Sequence, residues 1–348
     1  MHGSLARGRA IFDQVSELPL DAREAALADA CGGDVDVMRT VQRWLDLSER
    51  TATVLDTSPA GLGGPHEPRV VGPYRLLRKL GEGGLGRVYL AEPGPVAVKL
   101  VRPDVAPEIV ARRFARERAL LARLEHPGIA RLLDGGTADD GTPYIVLRYV
   151  DGVPLDRYCA EHALTCRDRL AMMVQVCRAV AHAHSHGVLH RDLKPANVLV
   201  ETSGRPVVLD FGLATLVDID PALALDSTST GHRMLTPDYA SPEQVQGYRP
   251  SPQTDVYALG AMLYEVLTGV RPHRFPTWSL ADIIHVVCSG AVALPSEAIT
   301  DPAWPVLAHE LRGALDALVM KALAKDPGAR FARVDALQAH LVRAGGHA

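Results

Sequence analysis

The segment Gly81-Glu-Gly83-Gly-Leu-Gly86-Arg-Val88 sets glycines along a loop whose missing side chains let backbone N–H groups approach phosphate oxygens closely. By itself the pattern reads equally as a glycine hairpin. A dinucleotide fold needs a helix after such a loop, whereas here the sequence runs into a second apolar strand. Val96-Ala97-Val-Lys99 then ends an apolar run on one lysine, a cation within reach of phosphates held under the loop. Taken alone it reads as an exposed edge lysine. Glu117 lies on a helical stretch and offers Lys99 a carboxylate, although Arg113 four residues earlier offers Glu117 a surface partner of its own. A third cluster follows in His190-Arg191-Asp192-Leu-Lys194-Pro-Ala-Asn197 and, beyond a Ser-Gly turn, Val207-Val-Leu-Asp210-Phe211-Gly212.

In this order, together with Ser241-Pro-Glu243, these motifs resemble the eukaryotic-type (Hanks-type) protein kinases, including their bacterial Ser/Thr members, over residues 72–342. The resemblance implies an α+β, bilobal protein-kinase-like fold. A small β-rich N-lobe with one main helix and a larger α-helical C-lobe would follow a small helical N-terminal extension. It also implies transfer of the ATP γ-phosphate to Ser/Thr hydroxyls of protein substrates, with Mg²⁺, or Mn²⁺ in its place, as the metal. By the same resemblance Asp192 accepts or orients the substrate hydroxyl proton and Lys194 stands near the transferred phosphate. Lys99 binds the α- and β-phosphates and is held by Glu117, while Asn197 and Asp210 ligate the metal. Those residue types suit the chemistry. Phosphoryl transfer rests on positioning and charge neutralisation, and hard oxygen donors are what magnesium prefers.

For the nucleotide, the resemblance places Gly81, Gly83 and Gly86 over the phosphates, Val88 and Ala97 above the adenine and Leu199 beneath it. Leu147 becomes the gatekeeper, and the backbone of Arg148 and Val150 contacts the ring. Relatives often carry Glu where Arg148 stands; contact through backbone atoms leaves ATP binding in place. Lys194, two residues after Asp192, resembles the Ser/Thr rather than the Tyr members of the family, which implies Ser/Thr acceptors. Thr228 and Thr230 match an activation-loop autophosphorylation site, with Arg191 as charge partner for the added phosphate, which implies self-association for modification in trans. With every polar role filled, the sequence favours an active enzyme. The alternative is a nucleotide-binding signalling scaffold that acts without turnover.

The elements that must position these groups read as strands at 74–80, 87–91 and 96–101, a helix over 107–124, β-like runs at 129–133 and 143–150, and a helix over 167–186. Asp255 reads as the N-cap of the helix it opens, and the resemblance adds a role bracing the catalytic loop. His182, His184 and His186 supply an i,i+4 pair without a third ligand, too few for zinc. His184 is expected on an apolar helix face and the other two in solvent. Ahead of the linker at 57–73, residues 1–56 read as a helical extension with an Ala-rich helix near 22–30. A kinase domain then spans 74–342, with lobes at about 74–150 and 151–342.

Composition narrows the class. The chain has 348 residues, 47% apolar and 22% charged, enough to build a real core. Lys and Arg number 37 against 41 acidic residues, and the acidic excess falls in the first 70 positions. The neutral remainder lacks the basic stripe that nucleic acid requires, so protein substrates are the expected partners. Five scattered cysteines argue against a disulfide framework. No run of about 18 apolar residues and no signal-peptide pattern is present, so no membrane span and a cytoplasmic location are expected.

Overall fold

The computed structural model describes residues 70–83, 86–101, 118, 120–211, 237–277 and 279–346, with residues 11, 15, 20–32, 34, 37–38 and 41–42. The expectations placed on Glu117, Thr228 and Thr230 lie outside these residues. The strands are β1 Val70–Val71, β2 Tyr74–Gly83, β3 Gly86–Glu92, β4 Val96–Val101, β5 Leu132–Thr137, β6 Pro143–Arg148, β7 Gly152–Pro154, β8 Val198–Glu201 and β9 Pro206–Val208. The α-helices are α1 Leu20–Cys31, α2 Leu155–Glu161, α3 Cys166–Ser185, α4 Pro242–Val245, α5 Pro252–Thr268, α6 Leu280–Ser289, α7 Pro295–Ala298, α8 Ala308–Leu311, α9 Ala314–Ala322 and α10 Val334–Gly345. The chain divides into two compact units: Met1–Gly64 with Ser241–Arg249 and His273–Ala291, and Pro65–Ala240 with Pro250–Pro272 and Val292–Ala348.

The larger unit begins with a six-stranded antiparallel sheet in the order β1-β2-β3-β4-β6-β5. Side chains alternate across a strand, so register decides which face each residue serves. Tyr89, Val98 and Val146 pair in one row and, with Val71, Ala91, Leu100 and Tyr144, make an apolar cluster on one face. The neighbouring row, Gly81, Val88, Lys99 and Ile145, lies on the other. There Ile145, Leu147 and Ala97 join the main core. One face therefore holds the sheet together and the opposite face carries the polar chemistry.

That main core continues through α3, α5, α9 and α10. Thr165 starts α3 by accepting the Asp168 N–H at 3.2 Å, and the run from Leu170 through Ala183 buries one face of it. Helix α5 is buried almost all round, as a helix through the middle of a core must be. A second, three-stranded sheet, β7-β8-β9, lies beyond β6. Gly152 opens it, and a Cβ there would stand 2.5 Å from the Val200 carbonyl oxygen, which only glycine avoids.

The structure departs from the sequence reading at three places. The run expected at 129–133 joins the six-stranded sheet only from Leu132. After the Pro127-Gly128 turn the backbone first pairs with β9, Ala130 N donating to Val208 O and Val208 N to Gly128 O. Asp255 is not an N-cap: Ser251 holds that place, its N–H taken by Thr254 Oγ1 at 3.0 Å, and Asp255 turns inward from the first turn of α5. His182 is not in solvent. Its ring lies 5.2 Å from that of His126 and 4.5 Å from that of His186, with Nε2 buried. Burial first, then the neighbouring imidazole, holds the pKa of both His126 and His182 below the ordinary histidine value.

In the smaller unit, Ser241 caps α4 in a reciprocal pair with Gln244, and Ser279 caps α6. Cys288 on α6 donates through Sγ to Pro242 O at 3.8 Å, tying these two helices together. Helix α1 covers the Ala-rich stretch that the sequence marks, and Leu27 and Cys31 are buried on it.

Arg169 on α3 is 1% exposed and meets carbonyls in place of a carboxylate. Nε donates to Leu164 O, Nη1 to Val266 O and Nη2 to Cys159 O at 2.7–2.9 Å, while the guanidinium stacks 4.6 Å above Trp304. Burial pulls its pKa down, yet a guanidinium keeps its charge, and these bonds are correspondingly strong. Arg169→Leu strands three buried acceptors. The expected loss is about 3–5 kcal/mol, read as a lowered urea midpoint in circular dichroism, with Arg169→Lys recovering only part of it.

Candidate active site

Three backbone devices bring the sequence-marked residues together. The first is the β2–β3 hairpin, where Gly83 pairs with Gly86 and Gly86 adopts φ +144°, a conformation that side chains disfavour. A Cβ at Gly81 would meet nothing within 4 Å, so the surface above the hairpin's first strand is open. The second is register: Gly81, Val88 and Lys99 stand side by side across three strands, and Ala97 pairs with Leu147 on the same face. The third is the pair of bends at Arg191, φ +70°, and Asp210, φ +57°, left-handed conformations rare for non-glycine residues and concentrated at functional sites.

One buried carboxylate holds the bend at Arg191. Asp255, fully buried, accepts the His190 N–H on Oδ2 and the Arg191 N–H on Oδ1, both at 2.8 Å, while His184 Nε2 donates to Oδ2 at 2.7 Å. His190 extends the brace. Its Nε2 donates to Leu209 O at 2.8 Å, its Nδ1 accepts the Asp192 N–H at 3.3 Å, and its ring packs edge-on to Phe211 at 4.7 Å. Leu209 N in turn donates to Asn197 O at 2.8 Å. The loop carrying Asp192 and the strand end carrying Asp210 are thus fixed to one frame.

On that frame the polar side chains meet. Lys194 Nζ lies 2.9 Å from Asp192 Oδ2. Asn197 donates through Nδ2 to Asp192 O at 2.7 Å and to Oδ2 at 3.1 Å, which turns its amide oxygen away as a hard donor for a cation. Lys99, with its side chain only 8% exposed, donates to Asp210 Oδ2 at 2.8 Å. The structure thus joins Lys99 to Asp210, and Asp192 to Lys194 and Asn197. The carboxylate of Asp210 and the amide oxygen of Asn197 are hard donors of the kind that would hold a divalent cation.

The apolar residues flank this group. Leu147 is buried among Leu121, Leu124, Ile129 and Phe211. Val150, with Ala130 and Val207, packs against Leu199 and Leu209. Arg148 ends β6, and its side chain reaches Glu201 at the end of β8. Sequence reasoning missed His184 and Glu201. His184 lies 71 residues from its partner and Glu201 lies 53 from its own, distances at which no local pattern signals a pair.

A family model described as "Protein kinase domain" matches residues 74–342. The chain belongs to the protein kinase family. It is 35% identical to Serine/threonine-protein kinase PrkC of Bacillus subtilis over 282 residues, covering 78% of this chain and 40% of PrkC. To Serine/threonine-protein kinase PknB of Mycobacterium tuberculosis it is 37% identical over 280 residues, covering 78% of this chain and 42% of PknB. It therefore spans about two-fifths of the length of these curated relatives. Among solved structures, the kinase domain of Mycobacterium tuberculosis PknI matches 79% of this chain and 97% of that one, with 27% identity and a TM-score of 0.58. The β-rich sheet followed by a helical body is the kinase fold that the sequence implied.

Asp255 also fixes how this kinase frame responds to acid. Burial alone would raise its pKa. The His184 hydrogen bond, the electrostatic influence of the His184 and His190 rings and the backbone N–H outweigh that, so the carboxyl sits below its ordinary value. A carboxyl whose pKa is lower folded than unfolded adds stability above the unfolded value, near 3.8, and loses it as pH falls through the folded value. In Asp255→Asn an amide NH₂ must face a backbone N–H. That variant is expected to be about 2–4 kcal/mol less stable than wild type at pH 7. Urea unfolding at pH 7 and pH 3 should show the gap narrowing in acid.

Proposed function

We propose that this chain is an ATP-dependent protein serine/threonine kinase acting on Ser/Thr hydroxyls of protein substrates, with Mg²⁺ as the metal and Mn²⁺ as a substitute. The family as a whole works with ATP and a divalent metal. The observation that carries the reading is the linked polar set of Asp192, Lys194, Asn197, Lys99 and Asp210 on one braced frame. It supplies every group that phosphoryl transfer asks of a protein.

In this reading Gly81, Gly83 and Gly86 lie over the phosphates, with Lys99 as their cation. Val88, Ala97 and Leu199 enclose the adenine, Leu147 limits the depth of its pocket, and the Arg148 and Val150 backbones contact its edge. Asn197 and Asp210 would hold the divalent metal, which supplies charge neutralisation on the phosphate oxygens. The acceptor oxygen forms its bond to the γ-phosphorus as the bond to the bridging oxygen breaks, and the hydroxyl proton passes to Asp192. Asn197 fixes the angle of that carboxylate, and Lys194 stands 2.9 Å from it. Glu117 remains the proposed support for Lys99.

The domain division we favour is a helical extension at 1–56, a linker at 57–73 and the catalytic domain at 74–342. A cytoplasmic site of action is supported by five cysteines that are all buried and outside any disulfide. Among the described residues no helix is long and apolar enough to cross a membrane.

Purified protein given radiolabelled ATP and Mg²⁺ should label itself and a basic protein acceptor on Ser or Thr. Asp192→Ala should lower the rate by roughly 10²–10⁴-fold, the range a positioned proton acceptor supplies. ATP binding with no labelling in the wild type would favour the scaffold reading. Mass spectrometry of the labelled wild type should find phosphate on Thr228 and Thr230. A mixture of Asp192→Ala with active enzyme should show the variant modified in trans, as self-association requires.

A further inference from the structure

Residues 149–151 join β6 of the first sheet to β7 of the second. Arg148, the last residue of β6, is fixed on the sheet side, its N–H donating to Arg131 O at 2.9 Å. Glu201, the last residue of β8, pairs in register with Gly152, the first residue of β7. Arg148 Nη1 reaches Glu201 Oε1 at 2.7 Å, so the side chains close a chord across the connection. Glu201 is the better buried partner, with its side chain 14% exposed against 37% for Arg148. Hydrogen bonding from Arg148 is the largest influence on its carboxyl and, with Arg205 assisting against burial, keeps its pKa below the ordinary glutamate value.

The far ends of the hairpin that Glu201 terminates carry the chemistry. Asn197 immediately precedes β8, and Leu209 and Asp210 immediately follow β9. Val150, midway along the connection, belongs with Ala130 and Val207 to the apolar cluster against which Leu199 and Leu209 of the same segment pack. A freely flexing connection would let the adenine-contacting strip and the metal-binding ends drift relative to each other.

We propose that Arg148 and Glu201 form a positioning clamp across the connection between the two sheets, setting the adenine strip against Asn197 and Asp210 and so determining ATP affinity. The proposal rests on the kinase reading above. Arg205 also pairs with Glu201, at 2.8 Å, but lies on the same hairpin four residues away and spans nothing. It is the internal control.

The test is ATP KM and kcat, with ATP affinity by calorimetry in parallel, for wild type, Arg148→Ala, Glu201→Ala, the double variant and Arg205→Ala. Each single clamp variant should raise ATP KM and Kd roughly 3- to 10-fold, the range of a charge-assisted bond in a half-exposed setting. Glu201→Ala should change kcat by less than it changes KM. The double variant should be no worse than the singles, because both remove one interaction. Arg205→Ala should bind ATP like wild type, and Arg148→Lys should recover part of the affinity. Unchanged KM and Kd in Glu201→Ala, additive losses in the double variant, or an equal loss in Arg205→Ala would overturn the clamp. A loss of melting temperature with unchanged affinity would reduce the pair to a structural role and overturn it equally. If the wild type transfers no phosphate, the kinase reading fails, while the calorimetric series still judges the clamp.

Discussion

A carboxylate removed from water must be matched by donors, and the site depends on how Asp255 meets that demand. Desolvating an ion costs several kcal/mol, which a single weak partner does not offset. Asp255 finds two backbone N–H groups, of His190 and Arg191, and the ring of His184. Those N–H groups are available only because Arg191 takes up a left-handed conformation, which is strained for its residue type. The charge on α5 and the bend before Asp192 therefore stabilise each other. Neither has a reason to persist alone. From this contact the order spreads outward through His190 to Leu209 and Phe211, and through Leu209 to Asn197.

The arrangement separates rigidity from reactivity. Asp255, His190 and Arg169 are buried and take their partners largely from the backbone, so they set geometry and never meet solvent. Asp192, Lys194 and Asp210 keep partial exposure. Hydrogen bonds from buried donors to carbonyls and carboxylates are directional, and a network of them resists small displacements better than apolar packing does. Sub-ångström placement of the exposed groups follows from the frame beneath them.

How much of this was legible in the sequence depends on range. The glycine-punctuated strands β2 to β4 were, because alternation and turn residues are local signals, and so was α3, read over 167–186. The reactive set was legible because Asp192, Lys194 and Asn197 lie within one loop. The second sheet was not: its strands are three or four residues long, and Val198-Leu-Val and Pro206-Val-Val show no alternation. Asp255 was misread only as a cap, because an acid in a first helical turn looks like one until burial shows which way it faces; its bracing of the catalytic loop, implied by the resemblance, is what the structure shows. His184 and Glu201 take their meaning from partners 71 and 53 residues away, and such pairings appear only once the chain has folded.

The period-two division of β4 has one more consequence. Val98 belongs to the apolar cluster and Lys99 to the opposite face, and they are neighbours in the chain. A slip of one residue would drive an ammonium group into that cluster and bring a valine to the phosphate side. The same error would thus weaken the sheet and silence the site together. Misassembled molecules are therefore the ones most readily lost to unfolding and proteolysis, and a stably folded copy is by construction a chemically competent one. In this strand, foldability acts as a proofreading step for function.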